Sequence, residues 1–302
     1  MCYNKPNMTN EDVLDKMGRD MREQGRSART AACYLMHAGR YMDHHKRPAT
    51  EMREKEVGEY LSFLTASKKR SPSTVNVCNA ALRFLYGATL ETPLDARKIP
   101  ALEIERKLPE LPERGELMRI FGAAPGPMFK AMFMTMYGSG LKLSEATDLR
   151  VSDVDVASMR VAVRGRDGSP GRRAPLAKEA LAAINESRGR NKKRPDYDWL
   201  FVTKKGGKIG IRAAERALEA AAAKSGVEKV VTAKTLRHCF GVHFLQDGGC
   251  LYELKELMGH ARMESLAWYL RLARQRNAEA IKAASPLDGM DGIPDSEGML
   301  DG

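Results

Sequence analysis

The sequence predicts two domains, mainly α-helical, with a small antiparallel β-sheet in the second. Three observations carry this. Apolar residues recur at helical spacing in four blocks of the first hundred positions. A proline-rich stretch without a helical stripe follows. Helical texture then returns, interrupted once by residues that alternate with the period of a strand. A length of 302 residues suits two domains, and 43% hydrophobic residues suffice to give each a core.

The first helix is marked by Val13, Leu14, Met17 and Met21, with Thr9 and Asp12 placed as a capping pair. A second begins near Ser27, since Ala31, Tyr34, Leu35, Ala38, Tyr41 and Met42 share one face. A third runs from about Thr50 on a stripe of Val57, Tyr60, Leu61 and Leu64. Ser71-Pro72 opens a fourth that contains Val75, Cys78, Leu82 and Leu85. These four make a helical domain over residues 8–91. Residues 92–112 hold four prolines and read as an extended linker.

The second domain, 113–285, opens with a helix through Leu117, Ile120 and Phe121. A strongly apolar helix through Phe129, Met132, Phe133, Met136 and Tyr137 comes next. Residues 159–164 alternate as a strand, 165–171 form a turn, and 173–176 are the expected return strand. Another short strand is expected at 200–203, ahead of Gly206-Gly207. Helices are then predicted at about 210–224, 235–247, 251–258, 263–272 and 274–283. Residues 286–302, with four glycines, five acids and no base, read as a disordered acidic tail.

Charge narrows the partner. Lys and Arg number 50 against 39 Asp and Glu, a net +11, and none of the 50 lies in the tail. A body so basic favours a polyanion, with nucleic acid first. No apolar run approaches the length of a membrane helix, and the N-terminus lacks a signal-peptide core. Five scattered cysteines without CxxC pairing speak against a disulfide framework or a zinc site, and for a reducing, cytoplasmic setting. HExxH, Walker and GxGxxG patterns are absent, so hydrolytic metal, nucleotide and dinucleotide chemistries lack support.

The informative segment is 235–272, TLRHCFGVHFLQDGGCLYELKELMGHARMESLAWYLRL. It sets Arg237 in a Leu-Arg-His context, His260 at the end of Leu-Met-Gly-His, and Tyr269 nine residues later. With 138–149, GSGLKLSEATDL, it resembles the catalytic domain of the tyrosine recombinases, or phage integrases, nearest the Xer and integron-integrase branch. The likeness spans nearly the whole chain, because the four N-terminal stripes resemble the family's SAM-like core-binding domain. It implies a two-domain C-shaped clamp around DNA, a homo-tetramer on two sites, and strand exchange through a Holliday junction. An accessory recombinase or a DNA-bending protein is a further candidate partner. By resemblance, Tyr269 is the nucleophile, Arg237 a phosphate clamp and His260 a phosphate donor. Lys234 stands where the family has histidine or lysine.

The residue types suit such chemistry. A tyrosine that stays bonded to phosphorus conserves the energy of the cut strand. Charge building on the non-bridging oxygens calls for cationic donors, for which the planar fork of arginine is apt. The departing 5′-oxygen needs a general acid. No metal or other cofactor is required.

Two positions depart from the family pattern. Gly-Leu-Lys places Lys142 where the family has its first catalytic arginine, and Arg166 falls in the slot of the hairpin lysine. Lysine lacks the two-pronged grip, and arginine is a poor proton donor near neutrality. Three outcomes stay open: exchanged roles, a slow enzyme that needs assistance, or a DNA-binding protein that no longer cleaves. A type IB topoisomerase-like relaxing enzyme uses related chemistry.

Taken alone, each of these residues has a plainer account. Tyr269 beside Trp268 reads as a core aromatic, Arg237 as a buried ion-pair partner and His260 as a helix-start histidine. His238 and His243 are assigned to packing or hydrogen bonding. Lys46, Arg47, Lys68, Lys69 and Arg70 in the first domain, and Lys204, Lys205 and Lys208 in the second, are the candidate DNA-contacting cations. All eight read equally as solvated rim. The acidic tail is a candidate lid over basic surface.

Overall fold

Helix caps and apolar stripes build the first unit, residues 1–107, around its own core. The structure, a computed structural model, describes residues 8–104, 109–165, 171–189, 198–203, 205–259 and 262–276. Thr9 accepts the Asp12 N–H, and Asp12 accepts the Thr9 N–H, which fixes the start of α1 (Asn10–Glu23). Ser27 caps α2 (Ala28–His45), and Ser71 with Pro72 opens α4 (Pro72–Phe84). Between them lies α3 (Glu54–Ala66), which starts later than its stripe suggests. Ala49–Glu51 forms a separate 3-10 turn, and Glu56 caps the new helix by accepting the Arg53 N–H at 2.9 Å.

Val13, Met17, Met21, Tyr41, Met42, Val57, Cys78, Leu82 and Leu85 are buried together. The Tyr41 and Tyr86 hydroxyls meet at 3.1 Å, and Tyr86 also donates to the Ala49 carbonyl, so the phenols enter this core with their polar ends satisfied. Part of the proline-rich stretch is pinned to the same unit. Ile99 is buried, Asn79 donates to its carbonyl, and Asn76 bonds both the N–H and the C=O of Leu102.

The second unit, residues 108–302, has a separate core. Two helices, α5 (Arg114–Gly122) and α6 (Pro127–Gly138), lead into the five-residue α7 (Leu143–Thr147). The sheet is antiparallel in the order β1 (Val154–Asp155), β2 (Arg160–Val163), β3 (Arg172–Pro175). Val161 pairs with Ala174, and both face inward. Five helices complete the unit: α8 (Lys178–Gly189), α9 (Ile211–Ser225), α10 (Ala233–Gln246), α11 (Leu251–Met258) and α12 (Ala267–Arg276).

Three expectations need correction. Residues 200–203 make no strand; the isolated bridges Arg150–Trp199 and Val202–Lys208 tie that segment down instead. No break falls near residue 273, because Leu272 and Ala273 are both buried and neither glycine nor proline interrupts α12. Residues 263–266 form a 3-10 turn rather than the start of that helix. Helices α7 and α8 and strand β1 add to the predicted elements. The remainder of the helix expected at 274–283, and the whole of 286–302, lie outside the described residues. Among the described residues no helix is long and apolar enough to cross a membrane.

Candidate active site

A buried carboxylate organises the site. Glu145 lies in the first turn of α7 and accepts the Lys142 N–H at 2.8 Å, closing the helix start. Its two oxygens also take the Arg172 guanidinium end-on, Nη1 to Oε1 at 3.0 Å and Nη2 to Oε2 at 2.7 Å. Arg237 Nη1 approaches to 3.6 Å, as does the Lys142 ammonium. Burial alone would raise the Glu145 carboxyl. The Arg172 fork, the Lys142 N–H and the Arg237 charge outweigh it and hold the carboxyl below its ordinary value. Three cations around one carboxylate leave the site electropositive.

Helix ends aim the two arginines. α11 stops at Gly259, in the left-handed conformation, and strands its last carbonyls. Arg172 Nε donates to Leu257 O at 2.7 Å, and Arg237 Nη2 donates to Met258 O at 2.6 Å. Cations at a helix C-terminus are favoured by its dipole as well as by these bonds. Arg237 Nη1 donates to Gly140 O at 2.8 Å. Gly140 has φ of +60°, and a Cβ there would meet the Phe240 ring at 2.4 Å, so only glycine lets the carbonyl reach the arginine.

The phenol comes from α12. Tyr269 stacks on Trp268 and lies across α10, where a Cβ on Gly241 would fall 2.6 Å from its ring. Its hydroxyl meets His238 Nδ1 at 2.8 Å. Tyr269 is 1% exposed, and burial pushes its ionisation up to about 12, with the Arg237 charge working the other way.

The residues singled out from the sequence sort as follows. Lys142 has a half-exposed side chain, Arg237 is buried, and Lys234 is exposed one turn before Arg237 on α10. Arg166, His260 and Lys204 lie outside the described residues. In the first unit Lys46, Lys68, Lys69 and Arg70 are exposed, Lys68 standing 5.5 Å over the Phe63 ring. Arg47 pairs with Glu56 at 3.3 Å. In the second unit Lys205 is exposed, and Lys208 pairs with Asp148 and stands 5.2 Å over the Trp199 ring. Among the described residues no three His, Cys, Asp or Glu side chains are grouped to hold a metal ion.

Sequence reasoning missed Arg172 and Glu145 and gave His238 no tie to the phenol. An acid three residues after Lys142 is a visible helix-start signal. Nothing local separates Arg172 from its neighbour Arg173, because their fates depend on which face of β3 turns inward.

Comparison with known proteins shows the family and the fold. Residues 116–276 match the model of the phage integrase family, and residues 13–96 match the phage integrase N-terminal SAM-like domain. Tyrosine recombinase XerC of Xanthomonas axonopodis pv. citri is 31% identical over 236 residues, covering 74% of this chain and 76% of that one. The crystal structure of XerH recombinase bound to palindromic difH substrate, a post-cleavage complex, superposes with a TM-score of 0.73 at 17% identity, over 92% of this chain and 97% of that one. A lambda integrase tetramer bound to a Holliday junction gives 0.70 at 14% identity, over 88% and 78%.

Proposed function

The chain belongs to the phage integrase family of tyrosine recombinases, and we propose that it cuts and rejoins double-stranded DNA at specific sites through a covalent 3′-phosphotyrosine at Tyr269. One observation carries this reading: the Tyr269 hydroxyl is held at 2.8 Å by His238, the neighbour of Arg237 on α10, in the same unit where Lys142, Arg172 and Arg237 surround a single carboxylate. Tyr269 Oη attacks the phosphorus. Arg237 takes up charge on the non-bridging oxygens, and Lys234 adds to the positive field one turn away. Lys142 serves as the acid for the departing 5′-oxygen, because its ammonium is a proton donor that a guanidinium is not. His260 and Arg166 complete the phosphate contacts by family resemblance.

The same reading includes a homo-tetramer on two DNA sites, working through a Holliday junction. Support comes from the likeness to lambda integrase, which has been seen as such a tetramer. An accessory recombinase or DNA-bending protein would help a chain with lysine at position 142 assemble its site. A second reading, a DNA-binding protein that does not cleave, draws on the burial of Tyr269.

A pool of nicked duplexes with a randomised core separates the two, since a nick beside the scissile phosphate traps the covalent species. The recombinase reading expects a protein–DNA adduct that survives denaturation and vanishes in Tyr269→Phe. Tight binding of selected duplexes without any adduct would favour the second.

A further inference from the structure

The phenol of Tyr269 keeps its proton at neutrality. With ionisation pushed to about 12, only on the order of one molecule in 10⁵ is phenoxide at pH 7. A nucleophile in that condition needs a base in contact with it as the bond to phosphorus forms. Arg237 opposes the shift but, as a permanent cation, accepts no proton.

His238 lies next to Arg237 on α10 and turns toward α12. Its Nδ1 is 2.8 Å from the Tyr269 hydroxyl, within the range for direct proton transfer. Two aromatic edges hold the ring: Trp268 at 4.6 Å and 90°, and Tyr269 itself at 5.6 Å and 62°. His238 and Gly241 are three residues apart and share a face of α10. The missing side chain at Gly241 seats the phenol ring, and His238 receives its hydroxyl end. A nucleophile bonded to a base that a further group orients is the arrangement covalent catalysis requires.

We infer that His238 is a catalytic residue, the general base that takes the Tyr269 proton during attack on the DNA phosphate. The inference rests on the reading of Tyr269 as nucleophile. As Oη–P forms, the phenolic proton passes to Nδ1 and leaves an imidazolium. The P–O5′ bond breaks, and the 5′-oxygen departs with a proton from Lys142. In the return step a 5′-hydroxyl attacks the phosphotyrosine and gives its proton to Lys142. The imidazolium then returns its own proton to the phenolate.

The test is single-turnover adduct formation on a nicked duplex recovered from the randomised pool, with His238→Gln and His238→Ala. Each is made with tyrosine at 269 and with 2,3-difluorotyrosine there, a phenol of similar shape that ionises at lower pH. With tyrosine, both variants should slow adduct formation by about 10²–10⁴-fold while duplex binding stays unchanged. With the fluorinated phenol the loss should shrink to about tenfold or less, since a more acidic nucleophile depends less on its base. Rates within about threefold of wild type, or the same loss with both phenols, would overturn the assignment and leave His238 a packing role. If the wild-type chain itself forms no adduct, the nucleophile reading fails and the base assignment goes with it. The wild-type lane distinguishes that outcome from failure of His238 alone.

Discussion

By resemblance Lys142 stands where the family has its first catalytic arginine, and its surroundings support the proton-donating role proposed for it. The side chain is 56% exposed and its ammonium sits 3.6 Å from Glu145, so it has room on its solvent side to turn toward a leaving group. A 5′-thiolate leaves without a proton, which allows a specific test. Lys142→Ala should slow cleavage of an ordinary phosphodiester by about 10²–10³-fold, and cleavage of a bridging 5′-phosphorothiolate by about tenfold or less. Equal loss on both substrates, read as single-turnover adduct rates, would instead make Lys142 a phosphate contact. The lysine itself was legible in the sequence. The second cation on that carboxylate was not: Arg172 brings a guanidinium to Glu145 across 27 positions of chain, from a strand that is placed by its pairing with β2.

The secondary elements act here through their ends. The start of α7 presents Glu145, the end of α11 presents two carbonyls, and β3 and α10 deliver the arginines that join them. Breaking a buried ion pair from one side costs about 3–5 kcal/mol, so Glu145→Gln should lower the stability of the second unit by that order at neutral pH. The sign of the pH dependence follows from the depressed carboxyl. Its contribution is complete above the ordinary value of 4.5 and is lost as pH falls through the lower value in the fold. Thermal melts should therefore show the gap between wild type and Glu145→Gln closing as pH drops below 4.5; a gap constant with pH would remove Glu145 from this role.

Helices with a strong apolar period, such as α1 and α2, could be read directly from the chain. Helix α8 escaped because only Ala180, Ala183 and Ile184 of its inner face are buried, a stripe too thin to stand out. Strand β1 escaped because two residues carry no period.

At the scale of the molecule, charge is the organising quantity, and it was fully visible in the sequence. Which cations meet DNA was not, since exposure is common to rim and DNA-facing residues alike. The structure narrows the choice: Lys208 and Arg47 hold carboxylate partners, whereas Lys68, Lys69 and Arg70 cluster in one exposed stretch after α3. If these three touch phosphates, replacing all of them with alanine should flatten the dependence of log Kd on log salt by about 0.9 for each phosphate no longer neutralised. An unchanged slope would return them to the solvated rim.

The whole assignment turns on where the covalent bond forms, and that position can be weighed by mass. Adduct trapped on the nicked duplex, trimmed with nuclease and digested with trypsin, should carry a nucleotide phosphate on the peptide MESLAWYLR, with fragmentation placing the added mass on Tyr269. Added mass on another residue, such as the exposed Tyr252, or an adduct that persists in Tyr269→Phe, would contradict it.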